Sequence, residues 1–561
     1  MRSYIQVPQQ DPDDLYLVPP DSTEWKASRL ARLRLFWLAA VLCCGGALFG
    51  YDSGVIGGVL TFESFARDFR YGPADKTRVS SIAVGIQQAG ALVGCFAVWP
   101  VTNRWGRRLA MMACSAVFCA GVILEVINSH SLPLFYAGRV ICGLGIGGSA
   151  TVIPIYMAEM SPKESRARLG SCYQFTYTIG ILVSYWIDYA VKFMAPSPAQ
   201  WQIPIALQLV PGALMGLGTT TLPESVRWLL ANGDHALAHS SLLWIRAASP
   251  SSPALSAEFT HMRHGLEQER AATATFHPCE LLAGPNARRL LLAFGLFLAQ
   301  QSTGATALAY FAPQFFSLVV GPADSDSDSS STAPLLLTGI FGAIKVLSCL
   351  LFLLFLSDRF GRRPLLLSGA AAMSACMLAT AAVLNSHPPA PAPAPGSSPG
   401  SISITPAAIA TIALIYLDIT AYNLSWGPLP WPCVSEIFPT RIREPGVAVG
   451  VGAQWAFNFV WSFSTPFILA KIKWATFLLF GGLDLLIVGF VWAFVLETRG
   501  KSLEEISALF EGGYSPRLAT PRREAGSEGG SDGDNGKDGS ILHVNAGSAS
   551  PQRDLNSIYL R

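Results

Sequence analysis

Two short runs of this chain are near copies of each other: Asn103-Arg104-Trp105-Gly106-Arg107-Arg108 and Asp358-Arg359-Phe360-Gly361-Arg362-Arg363. Each lies between two long apolar segments. A second pair repeats in the same order: Glu159-Met160-Ser161-Pro162 with Arg166 and Arg168, and Glu436-Ile437-Phe438-Pro439 with Arg441 and Arg443. A chain that repeats its connecting loops in order is built from two homologous halves. Two halves of membrane helices facing each other are the architecture in which a central site opens to one side at a time.

The composition agrees with burial in lipid. The chain is 51% hydrophobic and 14% charged, against about 25% charged for a soluble protein. A span needs about 20 mostly apolar residues. Twelve such windows predict an all-α integral membrane fold: 36–60, 81–101, 109–127, 133–157, 170–191, 203–222, 289–318, 333–357, 364–384, 405–434, 444–470 and 474–496. The loops after spans 2, 4, 6, 8 and 10 carry the Lys/Arg excess, which assigns them and both termini to the cytoplasm. The predicted organisation is a cytoplasmic segment 1–35, a six-helix bundle 36–222, a cytoplasmic loop with short helices 223–288, a second bundle with its end motif 289–511, and a disordered tail 512–561. The Pro/Ala/Ser-rich stretch 385–404 and the acidic 321–332 read as external loops. The first apolar run is too long for a cleaved signal segment.

Several function classes drop out. Ten of the 11 cysteines fall inside apolar windows, and no Cys/His spacing suggests a metal. The Gly143, Gly145, Gly147 and Gly148 run lies within span 4, where it permits close helix packing and not a nucleotide loop. No nucleophile constellation or phosphate loop is present, so an enzyme is not expected, and neither is a cofactor or a nucleic-acid partner. Asn423-Leu424-Ser425 has the form of a glycosylation site but lies inside span 10.

An ionised group at the centre of a span costs roughly 2.5–3.5 kcal/mol on insertion scales, so each one asks for a partner or a function. Asp52 and Arg139 lie roughly 12 and 9 Å below the outer ends of spans 1 and 4, at a rise of about 1.5 Å per residue. The two are expected to meet at one level, either as a static ion pair or as a switch in which the carboxyl takes up a proton when the guanidinium moves away. Lys345 and Asp418 sit mid-span at similar depth; they either pair, or Lys345 faces the cavity and binds an anion, or Lys345 snorkels or pairs elsewhere. Glu125 and Asp484 have no evident partner and receive no role. Side-chain amides in spans are also costly unless used. Gln174, Gln300, Gln301 and Gln454, with Trp431 and Trp455, suit a ligand with many hydroxyls and a weakly apolar ring face; hydrogen bonds between helices are the alternative use.

The motifs taken together resemble the sugar porter family of the major facilitator superfamily, over about residues 36–511. They are Gly50-Tyr51-Asp52, the two Gly-Arg-Arg loops, Gly138-Arg139, Pro223-Glu224-Ser225-Val226-Arg227-Trp228, Gln300-Gln301 with Gly304, Gly427-Pro428 with Trp431, and Glu497-Thr498-Arg499-Gly500-Lys501-Ser502. The stretch from Pro439 to Phe477 is most similar to fungal sugar and quinate permeases. The resemblance implies that Asp52 accepts the coupling proton and that Arg139 modulates it. It implies sugar contacts at Gln174, Gln300, Gln301, Gln454, Trp431 and Trp455, and a gate position for Tyr310. Thr306 stands where the family usually has Asn, which leaves substrate choice between a neutral hexose and a polyol acid. It also implies a cytoplasmic gate of ion pairs among Arg104, Arg107, Arg108, Glu159, Arg166, Arg168, Glu224, Arg227, Asp358, Arg359, Arg362, Arg363, Glu436, Arg441 and Arg443. With Asn103 in place of the Asp at 358, the two copies of the gate need not be equally strong. The functional expectation is a proton-coupled sugar symporter of the plasma membrane, working as a monomer. A quinate-type permease and a non-transporting nutrient sensor are the alternatives.

Overall fold

The computed structural model describes residues 28–127, 130–249, 252–273, 277–320, 328–357, 359–388 and 405–499, with 506 and 510 beyond them. Side chains of Arg166 and Arg168, the whole of Asp358, most of the 385–404 stretch and the 512–561 tail, all named above, lie outside the described residues. The described chain is helical and carries no strand.

Helices form at all twelve expected windows. In chain order they are α1 Arg29–Val59, α2 Lys76–Trp105, α3 Arg107–Val126, α4 Leu132–Met160, α5 Lys163–Val191, α6 Ala199–Thr220, α7 Gly284–Val320, α8 Asp328–Leu351, α9 Arg362–Ser386, α10 Pro406–Asn423 continued by Pro430–Ile437, α11 Arg443–Ile472 and α12 Ala475–Phe494. Ten of them are long and apolar enough to cross a membrane. The other two, α5 and α11, are as long, at 29 and 30 residues, but carry polar residues along their length, among them Gln174, Thr178, Ser184 and Asp188, and Gln454, Asn458, Ser462 and Thr465. The loop after α6 folds into the short helices Val226–Ala231, His235–Arg246 and Pro253–Thr273 and a 3-10 turn, Pro278–Leu282.

Close packing explains where the small residues fall. In the first half α1 lies on α5, and α4 lies on both α2 and α3. A Cβ added at Gly50 of α1 would overlap the Tyr177 carbonyl of α5, and one at Gly143 or Gly147 of α4 would overlap the Gln87 or Ala91 carbonyl of α2. Glycine lets these backbones touch, which is how helices associate where no hydrophobic effect drives them together. In the second half α9 packs on α10 and α12, and α7 on α11. The halves meet through α2 with α11, α5 with α8, and α1 with the later part of α7.

Three helices are interrupted, α6 only briefly, at Leu207 and Gln208. α7 breaks at Thr303 and Gly304, whose φ of +81° favours glycine, and kinks again at Phe311 (φ −121°, ψ 24°) ahead of Pro313. α10 stops at Asn423 and resumes at Pro430. The Gly427 N–H returns to the Tyr422 carbonyl at 2.9 Å, and Pro428 and Pro430 supply no N–H to continue the ladder. Span 405–434, expected as one helix, is therefore two.

Candidate functional site

A small recess lies among α5, α7, α8 and α10. Its lining is Gln174 and Tyr177 from α5, Ala305, Thr306, Ala309 and Tyr310 from α7, Lys345 from α8, and Tyr422 and Asn423 at the break in α10. The interruptions thus bring the Thr306 hydroxyl and the Asn423 amide to a common wall. Lys345 is 3% exposed, its ammonium lies 5.8 Å from the centre of the Tyr177 ring, and no carboxylate among the described residues pairs with it. The expected pairing with Asp418 does not form. Asp418 belongs to the side of α10 facing α9 and α12, within electrostatic reach of Cys376 and Asp484, and both its carboxyl oxygens lack a hydrogen-bond partner. Equal depth brings two residues together only when their helices also turn them toward each other.

The amides divide into two kinds. Gln174 lines the recess. Gln301 accepts a hydrogen bond from the Thr306 hydroxyl at 2.9 Å, which places it directly behind the wall. Gln300 donates to the Trp426 and Gly427 carbonyls at 2.9 and 3.2 Å, so its amide nitrogen braces the break in α10. Its Oε1, the Oε1 of Gln454, the Oδ1 of Asn458 and the Nε1 of Trp455 are buried without protein partners, a concentration of unmet hydrogen-bonding capacity uncommon in a folded interior. The Trp455 ring leans on Phe49 with centroids 5.4 Å apart. Trp431 packs edge-on against Phe297 at 5.2 Å and does not line the recess. Tyr177, Tyr422 and Asn423 are absent from the residues singled out above; Tyr177 stands close to one turn from Gln174, and the other two stand a few residues before the Gly427-Pro428 signal.

In the first half Asp52 and Arg139 do meet. Arg139 Nη1 is 2.9 Å from Asp52 Oδ1, and the two residues are 0% and 1% exposed. Gln87 of α2, absent from the sequence expectations, joins them. Its amide nitrogen donates to the second Asp52 oxygen, and its amide oxygen accepts from Arg139. Arg139 Nε donates to the Ala83 carbonyl at 3.0 Å. A second carboxylate, Glu125 of α3, stands 3.7 Å from the same Nη1.

The repeated loops form two similar clusters at one end of the molecule. In the first, the chain reverses at Gly106 (φ +93°) and α3 begins, and the Glu224 carboxylate accepts from the N–H groups of Arg107 and Arg108 at 2.9 and 3.1 Å. In the second, Glu497 does the same for Arg362 and Arg363 at 2.9 and 3.1 Å. A carboxylate on the unpaired N–H groups of a helix start is favourable, and a Cβ at Gly106 or Gly361 would overlap it. Burial pushes the Glu224 carboxyl up, and the backbone donors of Ser225, Arg108 and Arg107 pull it part of the way back. Arg107 makes a two-pronged contact with Glu159 (2.9 and 3.0 Å), while its counterpart Arg362 reaches Glu436 at 3.6 Å. Arg108 and Arg363 donate to carbonyls at or near the ends of α6 and α12, Thr220 and Trp492.

Other members of the expected gate have different partners. Arg441 pairs with Glu280 of the connecting loop at 2.8 Å, and not with Glu436; that contact holds the Glu280 carboxyl below its ordinary value. Arg443 donates to the Phe438 carbonyl at 3.3 Å, and Arg227 pairs with Glu269. Arg104 lies over the Trp105 ring, and the Arg359 carbonyl accepts from Arg499. Among the described residues, the ion pairs at this end stay within one half or involve the connecting loop. At the opposite end, hydrogen bonds cross between halves: Ser81 to the Phe463 carbonyl, Tyr185 to the Ala309 carbonyl at 2.6 Å, and Gln314 to the Gly57 carbonyl at 3.3 Å.

With this geometry in place, known proteins supply the context. The model of the family described as "sugar (and other) transporter" matches residues 38–510. The chain belongs to that family. A probable quinate permease of Neosartorya fischeri is 36% identical over 488 residues, covering 85% of this chain and 88% of the relative. The quinate permease of Emericella nidulans is 33% identical over 485 residues, covering 85% and 89%. Among solved structures, the proton:xylose symporter XylE bound to 6-bromo-6-deoxy-D-glucose aligns with a TM-score of 0.68 at 26% identity, covering 85% of this chain and 99% of that one. The fold is that of the major facilitator superfamily, and the protein is a multi-pass membrane transporter of a small molecule.

Proposed function

We propose that the protein is a proton-coupled permease for a polyhydroxylated ring acid of the quinate type. The carrying observation is Lys345, a buried lysine on the recess wall that pairs with no carboxylate among the described residues. An unpaired buried cation is costly, and a substrate carboxylate would supply the missing charge. The tyrosine hydroxyls, Thr306, Asn423 and Gln174 around it suit ring hydroxyls. The names of the fungal relatives support the same substrate class. A neutral hexose is the second reading, favoured by the uncommitted amide oxygens of Gln300 and Gln454 and by the likeness to a xylose symporter.

In this reading the halves at 36–222 and 289–511 rock about the recess. The bonds joining them at the end away from the Arg-rich loops describe a state closed on that side. Asp52 and Arg139 form the proton switch of the first half, and the paired Arg clusters form the cytoplasmic gate. The Lys/Arg excess puts both termini in the cytoplasm of a plasma-membrane protein acting as a monomer. The deciding experiment is uptake by purified protein in liposomes, with quinate and a panel of hexoses and pentoses, each with and without an inward proton gradient. Quinate uptake driven by the gradient and competed poorly by hexoses supports the proposal. Hexose uptake untouched by quinate assigns the second reading. Absence of any flux points to a nutrient sensor.

A further inference from the structure

Arg139 has two carboxylates within ion-pair range, and they are unequally served. Asp52 has Arg139 at 2.9 Å and the Gln87 amide. Glu125 has Arg139 at 3.7 Å, and neither of its oxygens has a hydrogen-bond partner. All three charged residues are buried to within 1% of complete. The room for Glu125 is built in, since a Cβ on Gly138, the residue before Arg139, would collide with the Glu125 side chain. The neighbours of the cluster can be named. α1 contributes Asp52, α2 contributes the uncharged Gln87, α4 contributes Arg139 and the Cys142 thiol, which donates to the Phe118 carbonyl at 3.6 Å, and α5 and α7 contribute the phenols of Tyr177 and Tyr310, within electrostatic reach of Asp52. α6 contributes Gln202, which donates to the Val126 carbonyl beside Glu125. Among the described residues no further charged side chain is in ion-pair range of Arg139 or Glu125.

One guanidinium between two carboxylates leaves a net charge of −1 when all are ionised, in surroundings where an uncompensated charge is costly. One proton brings the cluster to neutrality. We propose that Glu125 is the alternate partner of Arg139: when Asp52 takes up a proton, the guanidinium passes to Glu125, and it returns when that proton leaves. The proton joins an Asp52 oxygen, one ion pair is exchanged for another, and no other bond is made or broken. The exchange releases α1 from α4 while α3 and α4 become joined, so protonation changes which helices are tied together. Glu125 is a positioning residue here, and the idea rests on the proton-coupled reading above.

The test compares wild type with Glu125→Gln and Glu125→Asp in liposomes, each first shown to be monodisperse. Two readouts are needed: quinate counterflow at equal pH on both sides, and gradient-driven uptake as a function of pH. A like charge beside a carboxylate favours its protonated form. Removing the Glu125 charge is therefore expected to move the pH profile of driven uptake about one unit toward acid, and to lower accumulation at neutral pH about tenfold, with counterflow within about twofold of wild type. Glu125→Asp, which keeps the charge, is expected to retain most of the wild-type profile. If Glu125→Gln cannot be purified as folded protein, Glu125→Asp decides by itself, because a profile displaced by a full unit despite the retained charge would overturn the proposal. An unchanged profile in Glu125→Gln, or equal displacement in both variants, overturns it too. If wild-type uptake ignores the proton gradient, the proton-coupled reading fails instead, a result separate from any behaviour of the variants.

Discussion

Asp52 and Lys345 are both buried ionisable residues, yet the molecule treats them in opposite ways. Asp52 has a guanidinium and an amide on its two oxygens. Asp52→Asn keeps the shape and removes the charge, so uptake is expected to lose its response to a pH gradient while counterflow persists; concentrative uptake in that variant would sink the switch. Among the described residues Lys345 has a ring face and uncharged polar neighbours but no carboxylate. A charge-assisted hydrogen bond is worth about 1.5–3 kcal/mol. Lys345→Ala is thus expected to weaken quinate uptake at least about tenfold and to leave any hexose counterflow less affected. Equal loss for both substrates would place the lysine in a structural role. The sequence marked both residues by their cost in a span. It did not reveal Gln87, since an amide in an apolar window gives no sign of which helix it will face.

At the scale of the element, the helix starts explain why the Gly-Arg-Arg loop occurs twice. Each copy opens a helix whose first N–H groups are held by a carboxylate from beyond the last helix of its own half, Glu224 or Glu497. Loss of such a cap costs about 1–2 kcal/mol. Glu224→Ala and Glu497→Ala are each expected to lower the unfolding temperature in detergent by a few degrees, with Glu159→Gln costing more than Glu436→Gln because the Arg107 contact is two-pronged and shorter. Equal costs for that last pair would contradict the geometry. Gly50→Leu should be worse than any of these, because its side chain has only the α5 backbone to displace; a variant folding as well as the parent would remove glycine contact as the basis of the α1 and α5 association. The existence and order of the helices were legible in hydropathy. The interruption of α10 was legible only as a cluster of Gly and Pro, whose effect on the path of the chain depends on what packs around it. The Lys345 and Asp418 pairing failed because apolar windows of nearly uniform hydrophobicity fix the depth of a residue and not the direction it faces.

For the whole molecule, the duplication of the loops predicted two facing halves, and the contacts of α2 with α11 and of α5 with α8 are where they meet. The partner of Arg441, Glu280, stands in the connecting loop far away in sequence, and no local pattern could have pointed to it. If the halves rock, a tie across the closed end should stop them. Cysteines introduced as Ser81→Cys with Phe463→Cys are expected to arrest transport on cross-linking and to restore it on reduction. Of the native cysteines only Cys279 is exposed, so Cys279→Ser gives a quiet background. Undiminished flux in the cross-linked protein would refute rocking at this contact.

The Gln300 amide clasps the Trp426 and Gly427 carbonyls, and so it sews the flexure of one interrupted helix to that of another. Two joints that are stitched together have a single degree of freedom. A substrate that bends the helix after Gln300 also bends the one carrying Tyr422 and Asn423, and the wall of the recess then folds as one leaf instead of two shutters acting separately.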